Sequence, residues 1–76
     1  MPAYRVHFAG YVGKERYTSL GIFSADDNKD AKRSAPSICL QMIEMASDPK
    51  FRKTVRRSIT CIEDRQGNII ARNIAL

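Results

Sequence analysis

The chain has little of what most catalytic and metal sites are built from. It contains one histidine, His7, and two cysteines, Cys39 and Cys61, with no Cys/His pair in metal-binding spacing. A disulfide-stabilised miniprotein would need roughly four or more cysteines, so we expect both thiols to be buried as small apolar side chains. Gly10 and Gly13 do not precede a helix, as a phosphate-binding loop would require. We therefore expect no enzyme activity, no cofactor and no metal site.

Long apolar runs are also missing. None approaches the roughly 20 residues of a membrane-spanning helix, and no charged and then apolar leader follows Met1. We therefore expect a cytoplasmic protein that does not enter a membrane. With 43% hydrophobic and 28% charged residues, the composition is that of a folded chain. Its length fits a single domain, residues 1–76.

Alternating apolar and polar residues predict two strands in the first third of the chain. In residues 3–9, Tyr4, Val6 and Phe8 fall on one face, as a half-buried strand requires. Residues 10–15 contain two glycines and indicate a turn. Residues 16–23 return to the aromatic and β-branched composition of a strand. The two strands would form a hairpin.

The hydrophobic period then changes to that of a helix. Ser24 and Asp27 have the spacing of a helix start, and further acidic residues follow at its positive end. Apolar residues recur at three-and-four spacing over residues 31–46. Pro36 interrupts this stripe, because it lacks an N–H and disfavours helical dihedrals in the residue before it. We expect a kinked or two-part helix that ends near Ser47.

Two further strands are predicted at residues 57–63 and 69–76, with Gly67 in the turn between them. The fold class is therefore α+β with the order ββαββ. We expect a four-stranded antiparallel sheet with one kinked or two-part helix packed on one face. One helix covers only one face of such a sheet, so the other face stays open.

The open face is a candidate interface, because a bare sheet face commonly pairs with a second copy or another partner. From the alternation in the first hairpin we assign five residues to it: Arg5, His7, Tyr17, Ser19 and Phe23. Exposed aromatic side chains there would also be able to stack on unpaired bases.

Positive charge is concentrated in one stretch, KFRKTVRR at residues 50–57, which we name the basic segment. It carries five cationic and no acidic side chains, while the remainder of the chain carries eight of each. The candidate anion-binding residues are Lys50, Arg52, Lys53, Arg56 and Arg57. Phe51 and Val55, four residues apart, would anchor the segment to the core. Such runs are typical of nucleic-acid binding, although they also complement a helix end and keep a small protein soluble.

Two resemblances add to these patterns. MPAYRVH at residues 1–7 and EDRQGNII at residues 63–70 resemble a family of small, uncharacterised bacterial proteins. These open Met-Pro-x-Tyr-x-x-His and close with an acidic-Asp-x-x-Gly hairpin. This resemblance implies the ββαββ arrangement and no activity. IFSADDNKDA at residues 22–31, after a hairpin, is similar to the DNA-binding arm of some phage-type integrases, which has three strands before its helix.

The sequence favours a non-enzymatic binding module that holds an anionic partner, nucleic acid first, through the basic segment. The alternative is a homodimeric protein-interaction or regulatory module that uses the open sheet face, with the basic segment only keeping the protein soluble. A third possibility, an enzyme centred on His7, would require a polar pocket around that histidine.

Overall fold

The structure is a computed structural model that describes residues 2–76. Its elements in chain order are β1 (Ala3–Val12), β2 (Glu15–Ser24), α1 (Asn28–Glu44), α2 (Pro49–Arg52), β3 (Val55–Glu63) and β4 (Ile69–Ala75). The strands form one antiparallel sheet in the order β2-β1-β3-β4, and α1 packs on one face of it. The predicted α+β class and ββαββ order are confirmed, and a single helical turn, α2, follows α1 after Asp48. Two strands precede α1, one fewer than in the integrase arm.

Acidic side chains fix the start of α1. The Asp27 carboxylate accepts a hydrogen bond from the Asp30 N–H at 2.8 Å, and the Asp30 carboxylate accepts one from the Asp26 N–H at 3.0 Å. Amide groups at a helix start have no partner within the helix, so these carboxylates supply one. The helix therefore begins after Asp27, and Ser24 is the last residue of β2 instead of the cap.

Pro36 lies inside α1 without dividing it. Proline removes one backbone hydrogen bond and crowds the preceding turn. The neighbouring residues Ala35 and Cys39 are fully buried against the sheet, and this packing holds the helix together across the proline. The helix ends at Glu44, before the position that the apolar stripe suggested. Within the described part of the chain, no helix combines the length and the apolar character that a membrane span needs.

The core lies between α1 and the sheet. Its largest fully buried side chains are Val6, Cys39, Ile43, Ile59 and Ile62. Gly21 in β2 makes room for the Met42 side chain of α1, whose sulfur lies where a Cβ at this position would be.

The register of β2 corrects part of the open-face assignment. Tyr4 lies opposite Phe23, and His7 lies opposite Leu20. Residues that are directly opposite in an antiparallel pair point to the same face. Phe23 is therefore on the helix-covered face, where it is 7% exposed and stacks on Tyr4 with 5.8 Å between the ring centroids.

Tyr17 and Ser19 share the helix-covered side of β2 with Phe23, since alternate residues of a strand point the same way. Of the five residues assigned to the open face, only Arg5 and His7 lie there. Leu20 and Ile22 are the residues of β2 that lie beside them on the open face. Both faces of β2 carry apolar residues, so alternation alone did not show which face packs against the helix. Phe23 lies in the core, whereas Leu20 is exposed on the open face.

Candidate functional site

The basic segment runs from α2 through a short connection into β3. Asp48 caps α2 by accepting a hydrogen bond from the Lys50 N–H at 2.9 Å. The ring of Phe51 packs edge-on against Phe8, with centroids 5.9 Å apart, so it anchors the segment as expected. Val55 is 57% exposed, and the prediction that it also anchors the segment is wrong. It is the first residue of β3, which begins earlier than the sequence indicated.

Thr54 joins the segment to β1. It is 4% exposed, its hydroxyl donates to the Phe51 carbonyl at 2.7 Å, and it accepts from Nε of Arg57 at 3.1 Å. Gly10 of β1 makes room for this residue, because a Cβ there would lie 2.7 Å from the Thr54 Cβ. The segment is therefore a fixed part of the fold.

Main-chain carbonyl groups orient the three arginines of the segment. The donor and acceptor pairs are Arg52 with the Ala46 carbonyl (2.6 Å), Arg56 with that of Gly13 (3.1 Å) and Arg57 with that of Arg52 (2.8 Å). A neutral carbonyl oxygen directs a guanidinium group without cancelling its charge. Each of these arginines keeps further N–H groups for another acceptor, since a guanidinium has five donors.

In the part of the chain that the structure describes, no carboxylate pairs with a cation of the segment. Among residues 2–76, the close contacts between a basic and an acidic side chain are those of His7 with Glu63 and of Arg33 with Asp30. Four of the five cationic residues of the segment are exposed, and Arg57 is half-buried. The segment therefore presents a concentrated positive potential to the solvent.

Arg56 connects the segment to the turn between β1 and β2. Its Cζ lies 4.7 Å from the ring centroid of Tyr11, a cation–π distance. Tyr11 pairs with Arg16 across the hairpin, and Lys14 lies in the turn itself. We name the basic segment together with Lys14 and Arg16 the basic end of the sheet.

The basic end has side chains on both faces of the sheet. Gly10 and Tyr11 are consecutive in β1, so they point to opposite faces of the sheet. The space beside Gly10 holds Thr54 and Arg57 on the helix-covered side, whereas Arg56 covers Tyr11 on the open side. A bulge in β3 allows this arrangement: its register against β1 shifts beside Arg56, whose φ is +52°.

The open face mixes charged and apolar side chains in rows across the strands. The register places Ile22, Arg5, Glu63 and Ile69 in one row and Leu20, His7, Cys61 and Arg72 in the next. The apolar members are well exposed: Leu20 by 52%, Ile22 by 67% and Ile69 by 45%.

Three side chains with reactive atoms meet at the centre of this face. His7 lies opposite Cys61, and Glu63 is two residues further along β3 and points the same way. Nε2 of His7 contacts Oε1 of Glu63 directly, and the Cys61 sulfur completes a group whose atoms lie within 4.8 Å of one another. A cleft of about 400 Å³ opens beside His7 and Cys61, with Arg16, Thr18 and Leu20 along its other side.

The two thiols differ in their surroundings. Cys39 is buried, as expected, and burial raises its pKa to about 11. Cys61 is only half-buried, which corrects the expectation that both thiols are buried. Partial burial and then the charge of Glu63 raise the Cys61 pKa, against an opposing effect of Arg72. His7 thus has an acid and a thiol beside it, and the raised pKa of Cys61 favours the thiol over the more nucleophilic thiolate.

Comparison with known proteins gave no relative. No family model matches the chain, and no match was found among curated proteins or solved structures. The two resemblances noted in the sequence therefore stay predictions, and function is inferred from the geometry of the basic end and the open face.

Proposed function

We propose that the chain is a small, non-enzymatic binding module that holds an anionic partner, nucleic acid first, at the basic end of the sheet. The observation that carries this proposal is the state of the five cations: three arginines are oriented by carbonyl groups, and none of the five has a carboxylate partner among residues 2–76. Side chains that are ordered before binding lose less entropy when a phosphate arrives. Guanidinium groups also match phosphate oxygens with paired donors.

The shape of the basic end favours contact with a phosphate backbone. Arg56 and Arg57 lie on opposite sides of the sheet end, and Lys14 and Arg16 extend the surface along the hairpin. A partner that meets three or four of these cations would give a slope of log affinity against log salt of about −2 to −4.

Base stacking is not favoured at this site. Phe23 is buried in the core, the Tyr17 hydroxyl donates to Glu15, and the Tyr11 ring is covered by Arg56. Phosphate contacts position a protein without reading sequence. We therefore expect little sequence preference.

The lysines of the segment provide the cleanest test. Its side-chain hydrogen bonds are made by the arginines and Thr54, so Lys50→Ala/Lys53→Ala removes two charges and leaves those bonds in place. Lys29→Ala/Lys32→Ala is the matched control, because it removes the same charge from exposed positions of α1. Binding is measured by fluorescence anisotropy of labelled random single-stranded RNA and duplex DNA over a range of salt.

We expect the wild type to bind, and to bind more weakly as salt rises. If both lysines contact phosphates, Lys50→Ala/Lys53→Ala reduces the steepness of the salt slope by about 1.4–1.8. The control should leave the slope unchanged. Arg56→Ala/Arg57→Ala should abolish most of the binding, with circular dichroism confirming that it folds. Absence of binding at low salt, or equal losses in the two lysine variants, would contradict a localised site.

A second candidate function is self-association through the open face, supported by the exposed apolar side chains of Leu20, Ile22 and Ile69. The occupant would be a second copy of this chain. The face carries both signs of charge, with Arg5 directly across from Glu63. A two-fold axis would bring Arg5 of one copy towards Glu63 of the other, which is the self-complementarity that such dimers use.

A further inference from the structure

The cluster at the centre of the open face combines three different metal-binding atoms. They are the imidazole Nε2 of His7, the thiol sulfur of Cys61 and a carboxylate oxygen of Glu63, all within 4.8 Å of one another. The side chains of His7 and Glu63 are 38% and 21% exposed, so both are partly withdrawn from solvent and still reachable by an ion. β1 and β3 hold them on one rigid surface, although His7 and Glu63 are 56 residues apart in the chain.

The chemistry of this set fits a borderline-soft divalent ion. A thiolate disfavours Mg²⁺ and Ca²⁺, which prefer oxygen ligands, and a nitrogen, sulfur and oxygen set is one that Zn²⁺ accepts. Zn²⁺ bonds of about 2.0–2.3 Å place tetrahedral ligand atoms roughly 3.3–3.7 Å apart. An ion would therefore require side-chain rotations that move the Cys61 sulfur inward and separate the His7 and Glu63 atoms to that spacing.

We propose that His7, Cys61 and Glu63 form a Zn²⁺ site whose fourth position opens onto the cleft beside Leu20. Three protein ligands with one open position is a common arrangement for zinc, and water would occupy the open position. The ion would replace the proton of the Cys61 thiol, because a metal binds the thiolate. The spacing of cysteines and histidines along the sequence gave no sign of this site, since strand pairing creates it.

Two cations lie in the same rows as the ligands, on the neighbouring strands, and Arg16 lines the cleft beside them. Arg72 of β4 lies across from Cys61, and Arg5 of β1 lies across from Glu63. Both would oppose a bare Zn²⁺ ion. The thiolate and the carboxylate together offset the charge of the ion, so the loaded site is neutral and tolerates these neighbours.

Cobalt provides a direct readout of the sulfur ligand. The full chain, without a histidine tag and kept reduced by a non-thiol reductant, is titrated with Co²⁺ alone. We expect one Co²⁺ per chain, a thiolate-to-cobalt charge-transfer absorption, and loss of that absorption when one equivalent of Zn²⁺ is added. Cys61→Ala should abolish the absorption, whereas Cys39→Ala, which removes the thiol buried in the core, should retain it.

Glu63→Gln tests the oxygen ligand with little change of shape. It should keep the charge-transfer absorption, because the sulfur is still present. It should weaken Zn²⁺ binding in a competition assay by about tenfold or more, because the site loses the negative charge of one ligand. Circular dichroism at the titration temperature establishes that each variant is folded. Absence of the absorption in the wild type, its persistence in Cys61→Ala, or unchanged Zn²⁺ affinity in Glu63→Gln would each overturn the proposal.

Discussion

Thr54 offers a quantitative test of how the basic segment is held. Thr54→Val keeps the shape of the side chain and removes the hydroxyl. The bond from this hydroxyl to the Phe51 carbonyl is buried and neutral and contributes about 1 kcal/mol. The bond from Arg57 involves a charge, but Arg57 is half-buried and water can replace the acceptor, so it contributes about 1 kcal/mol, less than is usual for a charged hydrogen bond.

The free energy of unfolding should therefore fall by about 2 kcal/mol. A domain of this size has about 3–5 kcal/mol in total, so this is a large fraction of its stability. Each kcal/mol lowers Tm by about 4–8 °C in a domain of this length, and we expect a decrease of about 8–16 °C. Urea and thermal unfolding followed by circular dichroism measure both quantities.

Thr54→Ser is the matched control, because it keeps the hydroxyl and deletes the methyl group. It should cost about 1 kcal/mol, the value of one buried carbon. A double-mutant cycle with Arg57→Ala isolates the bond between the two side chains, for which we expect a coupling of about 0.5–1 kcal/mol. Wild-type stability of Thr54→Val, or a Thr54→Ser variant less stable than Thr54→Val, would contradict a stabilising role of the hydroxyl.

Two further predictions concern the open face and the helix start. If the chain self-associates through the open face, Ile22→Asp should make it monomeric in light scattering, while Leu40→Asp, at a 40% exposed site on α1, should leave the assembly unchanged. Asp30 has a lowered pKa, first because Arg33 donates to it and then because of the Asp26 N–H. Because the folded-state pKa lies below the unfolded value of about 3.9, ionised Asp30 stabilises the fold fully above the unfolded pKa. This contribution is lost as pH falls through the folded-state pKa. Asp30→Asn should therefore flatten the acid side of the stability profile in urea unfolding; an unchanged profile would contradict the assignment.

Local patterns were sufficient to predict the four strands and α1. The turn before β4 follows from its own residues: Asp64 accepts hydrogen bonds from the Gln66 and Asn68 N–H groups, and Gly67 has a φ of +88°. The start of α1 also follows from nearby carboxylates, although the capping residue is Asp27 and not Ser24. Such signals act over a few residues and need no knowledge of the fold.

Predicting the cluster of His7, Cys61 and Glu63 would have required information that local patterns do not contain. Strand order places β1 beside β3, and only this pairing brings His7 to Cys61 and Glu63. The same strand pairing makes Tyr11 a neighbour of both Arg16, its partner across the hairpin, and Arg56, which comes from the bulge in β3. The one sequence signal within reach was the spacing of Cys61 and Glu63, which places both on one face of a strand.

The two proposed sites meet at the cleft, and their charges decide how they would act together. Arg16 belongs to the basic end and also lines the cleft beside Cys61. With a neutral His7, Zn²⁺ binding adds two positive charges and releases only the thiol proton, so the open face gains one positive charge next to Arg16. A bound ion should therefore favour an anion at the basic end, and by linkage an anion there favours the ion. Lys50 and Lys53 lie outside the cleft, so their substitution tests phosphate binding whether or not the metal site exists.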